Sequence, residues 1–247
     1  MKTPAWSRGA RNQTSPQQET RLKSSKHTWG LWQHRDCLLP TLRGWLFLLF
    51  LGVVLVVLGI SEAHRFLTVN NPVPSDILVI EGWVPDYALK ATLPQLTRDH
   101  YRKILVTGGP ITSGTYLCGY TNWAELGAAT LIQLGVDTNT VEALSAVRVS
   151  RDRTYASAVA LHAWLRRHQI DATSLNILTM ADHSRRTRLL FRKALGRNYR
   201  VGIISIENRD YDPHRWWQSS EGVRTVVGEM IAYGYARFLF WPRAQVD

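Results

Sequence analysis

The stretch Asp182-His183-Ser184-Arg185-Arg186 follows an apolar run that ends at Thr179. If Asp182 caps a helix starting there, His183, Arg185 and Arg186 fall on its first turn. Cations at a helix amino end lose roughly a few tenths of a kcal/mol unless an anion offsets the helix dipole. Helix amides together with one or two guanidiniums therefore form a phosphate or carboxylate site. Arg188, Arg192 and Lys193 continue along the same segment and support the competing reading, a solvated basic face.

Other chemistry-bearing residues also sit just after apolar runs. Glu81-Gly82-Trp83 follows the first, and a carboxylate there, near His183, can serve as general base, cation ligand, or acceptor for a ribose or amine. Gly108-Gly109 follows the second, where the missing Cβ lets backbone amides come close to an anion. Arg153-Thr154 opens a helical segment and adds a cation and a hydroxyl. Glu125 has two readings, ligand contact or the return arm of a capping box begun by Asn122. Trp216-Trp217 can stack on a ring or headgroup, or close one end of a sheet. GxGxxG, P-loop, HExxH and GxSxG patterns are missing from the sequence, so standard dinucleotide, zinc-hydrolase and serine-hydrolase chemistries are disfavoured and no metal site is expected.

Strand-like runs at Asp76–Ile80, Lys103–Thr107, Ser174–Thr179 and Arg200–Ile206, with Val141–Leu144 as a further candidate, alternate with helical segments. The helices are expected over Tyr87–His100, Trp123–Leu134, Arg153–His168, Ser184–Leu195 and Glu221–Phe240. This alternation predicts an α/β domain, a Rossmann-like three-layer sandwich with a mainly parallel sheet. Ligands of open α/β sheets bind beyond the carboxyl ends of the strands, which is where Glu81, Gly82, Gly108, Gly109, His183, Arg185 and Arg186 should converge. Glu221–Phe240 is apolar, but Glu229 and Arg237 inside it argue for packing on the sheet over a second membrane span.

The chain of 247 residues carries 30 Lys and Arg against 19 Asp and Glu, a formal net charge of +11. Much of the excess lies in residues 1–43, a polar tail with eight basic residues against Glu19 and Asp36. Nucleic-acid binding would need that charge on a folded face and is not expected. The uncharged run Gly44 to Ile60 would span about 26 Å as a helix, close to a bilayer core. A signal peptide cut after Ala63 is the rival, but the preceding region is long and the run exceeds an h-region. The expected organisation is a tail (1–43), a transmembrane helix (44–61), a linker (62–75) and an α/β domain (76–241). The basic tail places the N-terminus in the cytoplasm and the domain across the membrane, in a bacterium the periplasm. Cys37 and Cys118 would then lie on opposite sides and not pair.

In order and spacing, ILVIEGWVPDYAL, Thr107-Gly108-Gly109, the Glu125 helix leading to Leu134-Gly135-Val136, the Arg153-Thr154 helix start and His183 with its arginines resemble the ElyC/SanA/YdcF family of bacterial envelope-associated proteins. Glu81-Gly82-Trp83 stands where many members have a Gly-rich turn, and Thr154-Tyr155-Ala156-Ser157 where many have Thr-x-x-Asn, which marks a divergent branch. The resemblance implies roles in cell-envelope, peptidoglycan-precursor or polysaccharide biogenesis, with a small anionic metabolite or lipid-carrier phosphate as partner. It implies S-adenosylmethionine or a nucleotide as the cofactor class. A non-catalytic scaffold for envelope-synthesis proteins is the alternative.

Overall fold

The computed structural model describes residues 40–114 and 119–242; Cys37, Cys118 and most of the basic tail lie outside them. The chain divides into two compact units at Leu48 and Leu49, inside the first helix, and the larger unit holds the sheet.

Five strands form one parallel sheet: β1 (Ile77–Glu81), β2 (Lys103–Gly108), β3 (Val141–Ser145), β4 (Ser174–Met180) and β5 (Arg200–Ile206), in the order β3-β2-β1-β4-β5. The helices are α1 (Leu42–Leu67), α2 (Asp86–Asp99), α3 (Trp123–Gln133), α4 (Arg153–Arg167), α5 (Ser184–Leu195) and α6 (Ser220–Gly234), the last continued by a π-helical turn, Tyr235–Leu239.

β1 is apolar throughout because both its faces are covered. Leu78 and Ile80 join Leu89, Ala128 and Leu131 of α2 and α3 in one core layer. Ile77 and Val79 join Leu161, Leu165, Phe191 and Leu195 of α4 and α5 in the other. The fold is thus a Rossmann-like three-layer α/β sandwich. Strand order reverses between β1 and β4, and at that switch point a crevice opens beyond the carboxyl ends.

α1 is long and apolar enough to cross a membrane, and none of its apolar run is buried. It runs on to Leu67, into the segment expected to be linker, because its end has packing partners. Ala63 and Leu67 pack against Tyr211, Trp216, Val226 and Tyr233. α6 rests chiefly on the Trp216–Gln218 turn before it, and further on α5 and the end of α1, where direct packing on the sheet was expected. Its inward residue Val226 joins Leu67, Tyr211 and Trp216 in a third apolar cluster, outside the two layers that cover the sheet.

Candidate functional site

Glu81 ends β1, paired with Thr107 of β2. Its side chain is 2% exposed at the switch point. Burying a carboxylate is costly unless donors replace water. Here Oε2 accepts from Thr179 Oγ1 of β4 at 2.5 Å and from Thr187 Oγ1 of α5 at 3.0 Å.

Across the crevice stands His183, buried at the start of α5. It occupies the cap position expected for Asp182, with no side-chain hydrogen bond to the helix amides. Asp182 is drawn elsewhere: its Oδ2 accepts from Tyr211 Oη at 2.8 Å and Asn208 Nδ2 at 2.9 Å. Burial and this carboxylate push the Tyr211 phenol above its ordinary range, so it stays a donor. The β4–α5 turn is closed by Ser184 Oγ, which donates to Ala181 O at 2.7 Å.

The imidazole is oriented by a residue from α6. Glu229 Oε1 lies 2.9 Å from His183 Nδ1, and Arg186 donates to the same carboxylate through Nε at 2.8 Å and Nη2 at 2.9 Å. Arg186 Nη2 also lies 2.9 Å from Nδ1. A guanidinium can only donate and a carboxylate can only accept, so Nδ1 can serve one of them. Arg186 is already satisfied by Glu229, which makes Nδ1–H the donor to Glu229. Burial raises the Glu229 carboxyl, but hydrogen bonds and charge from Arg186 and His183 outweigh it and hold the group at about 2. Burial likewise disfavours the Arg186 cation, and Glu229 more than offsets it.

With Nδ1 committed, Nε2 is the basic nitrogen. It faces Thr154 Oγ1 at 3.4 Å and lies 3.8 Å from Glu81 Oε2, while the Trp83 ring stands edge-on at 5.0 Å. A carboxylate-held histidine of this kind can take a proton from a hydroxyl or water and return it to a leaving atom.

These groups border a cavity of about 680 Å³ that Gly108, Gly109, Pro110, Trp123, Asp152, Arg153, Thr154, Ala232 and Tyr235 also line. The two glycines do different work. A Cβ on Gly108 would lie 2.6 Å from Ala124 N, so this glycine admits the start of α3. A Cβ on Gly109 would meet nothing within 4 Å, so this is the one whose backbone is open to a ligand. Arg153 is exposed and has no side-chain partner among the described residues. Asp152 precedes it at φ 59°, a left-handed conformation that aspartate tolerates, and turns the chain into α4 at the cavity edge.

Seven of the sequence-derived candidates thus line one cavity: Glu81, Gly108, Gly109, Arg153, Thr154, His183 and Arg186. Three do not. A Cβ on Gly82 would lie 2.3 Å from Trp123 O, so this residue serves helix–strand packing. Glu125 donates its backbone N–H to Asn122 Oδ1 at 2.9 Å, one half of the capping box, while its carboxylate accepts from Thr121 Oγ1 at 3.3 Å in place of the expected return arm. Arg185 points away from the cavity: its Nε donates to Phe66 O, and its guanidinium sits 4.2 Å over the Phe66 ring. It borders a separate cavity of about 340 Å³ with Arg188, Arg192 and Lys193, which holds neither an acid nor a histidine.

Glu229 was visible in the sequence only as a charge in an apolar helix, and its place beside His183 follows from α6 lying across α5. Thr179 and Thr187 carried no sequence signal. Trp216 is buried with Tyr211, Leu67 and Val226, where α1 meets α6 and not over the end of the sheet, while Trp217 is 42% exposed. Among the described residues no group of three His, Cys, Asp or Glu is placed to hold a metal. No protein-family model matches the chain, and no curated protein matches it significantly.

Proposed function

We propose that the protein is a membrane-anchored envelope protein whose extracytoplasmic α/β domain binds a phosphorylated or nucleotide-like metabolite at the switch-point cavity. The observation that carries this reading is the convergence there of an open glycine backbone at Gly109, an unpartnered guanidinium at Arg153 and the Glu229–His183 pair facing Glu81. Gly109 and Arg153 suit a phosphate, and Trp83 and Trp123 supply aromatic walls for a ring. His183 Nε2 and Glu81 suit the polar or reacting part of the ligand, with His183 as proton acceptor. Arg186 contributes the rest of its guanidinium while two of its N–H groups stay with Glu229.

The long apolar α1 supports an anchor, and the basic residues that precede it against Arg65 alone just after support a cytoplasmic N-terminus. The resemblance to the ElyC/SanA/YdcF family supports a role in envelope, peptidoglycan-precursor or polysaccharide biogenesis.

The test is binding of uridine monophosphate, as a probe phosphomonoester, to the detergent-solubilised full chain. Arg153→Glu should weaken binding by about tenfold or more, the worth of one charge-assisted contact, with the melting temperature unchanged. Equal binding by the variant would contradict the assignment.

A further inference from the structure

α1 meets the domain at the same edge of the sheet that carries the cavity. Its apolar run ends at Ile60, whose carbonyl accepts the Trp216 indole N–H at 3.1 Å, from the segment after β5. One turn on, the His64 ring lies edge-on to Tyr211 at 5.8 Å, and Tyr211 holds Asp182. At the last helical residue, Leu67 O comes within 3.2 Å of Ser184 Oγ, and just beyond it Val69 N–H donates to that hydroxyl oxygen at 2.7 Å, next to His183. The chain then runs back along β5, where Asn71 pairs antiparallel with Ile203, and reaches the amino edge, where Val73 N–H bonds Asn176. About seven residues, roughly 10 Å of helix, therefore separate the end of the apolar run from Leu67, which meets Ser184 beside the site histidine.

The rim of this edge is dressed for an interface. Trp83 after β1, Val147 after β3 and Trp217 after β5 are exposed, Val147 at 73%. Arg148 and Arg153 stand beside Val147 without side-chain partners among the described residues. Exposed tryptophans with guanidiniums match the headgroup layer of an anionic leaflet.

We propose that α1 sets the carboxyl edge of the sheet against the bilayer surface, so that the cavity takes its phosphate group from a lipid of that leaflet and not from bulk solution. This rests on α1 being the anchor and on the cavity being the phosphate site proposed above.

The full chain, with Cys37→Ser and Cys118→Ser and one new cysteine at a time, is spin-labelled in lipid nanodiscs and its depth read from oxygen and nickel-complex accessibility. Leu51→Cys should report hydrocarbon, Val147→Cys the headgroup layer, and Asn198→Cys, just before β5, water about 20 Å farther out, a strand length away. Val147 as wet as Asn198, with Leu51 immersed, would overturn the orientation and leave the anchor standing. Leu51 in water would overturn both. Ile231→Cys immersed with Val147 in water would put the exposed face of α6 on the membrane and also overturn it.

A second arm compares phosphatidic acid in the disc with water-soluble glycerol phosphate, read by tryptophan emission and checked by loss in Arg153→Glu. Phosphatidic acid should act at a bulk concentration at least tenfold lower. Equal potency would overturn the lipid source and leave the cavity as a phosphate site, and no response to either would overturn the phosphate reading itself.

Discussion

At the scale of single residues, the arginines of the site divide by partner. Arg186 and Glu229 form a two-bond pair whose side chains are only 19% and 16% exposed, so each stabilises the fold by satisfying the other. Removing one partner of a buried pair costs about 3 to 5 kcal/mol, and the remaining exposure lowers that to roughly 2 to 3 kcal/mol here. Arg186→Ala should therefore melt about 5 to 10 °C lower by calorimetry, whereas Arg153→Ala should melt with the wild type. Glu229 also predicts an acid transition. Its folded-state carboxyl is held at about 2, below the ordinary 4.5, so the unfolded chain binds this proton first as pH falls. The stability it contributes is complete above about pH 4.5 and fades between there and pH 2, a slope that Glu229→Gln should flatten in urea titrations at stepped pH. The candidate residues were legible because each follows an apolar run, but the partition among them was not. Arg185 and Arg186 are neighbours in sequence, and only the phase of α5, with Ser184, Thr187 and Phe191 buried, sends one to the cavity and the other to Phe66.

At the scale of elements, the site depends on how closely α3 meets the ends of β1 and β2. Gly82 and Gly108 exist for that approach, since a Cβ on either would enter the backbone of Trp123 or Ala124. Gly108→Ala should cost about 1 to 3 kcal/mol as an overpacked contact, measured as a lower denaturant midpoint. Gly109→Ala should leave the midpoint unchanged and weaken probe binding, because its methyl would enter open space at the cavity wall. A loss of stability in Gly109→Ala as large as in Gly108→Ala would contradict the division of labour between them. The strands and helices of the α/β domain were readable within a residue or two because doubly buried strands and two-faced helices write their pattern locally, whereas α1 runs six residues past its expected end to Leu67. α6 was not fully readable. Its apolar period announced an inward face, but what receives that face, the segment from Tyr211 to Trp216 with the end of α1 and with α5, is set by tertiary packing, and with it the place of Glu229 beside His183.

At the scale of the whole molecule, the strand order alone brings the site together. β1 and β4 are neighbours although 98 positions of sequence separate Leu78 from its partner Asn176, and that adjacency joins Glu81 to Thr179 and His183. The central claim is that four chain segments far apart in sequence form one ligand site at this switch point. Amide hydrogen exchange on the full chain, with and without saturating phosphomonoester, tests it most directly. Slowed exchange should appear together at residues 81–84, 108–110, 150–157 and 183–186, and vanish with Arg153→Glu. Protection confined to residues 185–193, beside the other basic cavity, or spread without regard to these segments, would contradict it.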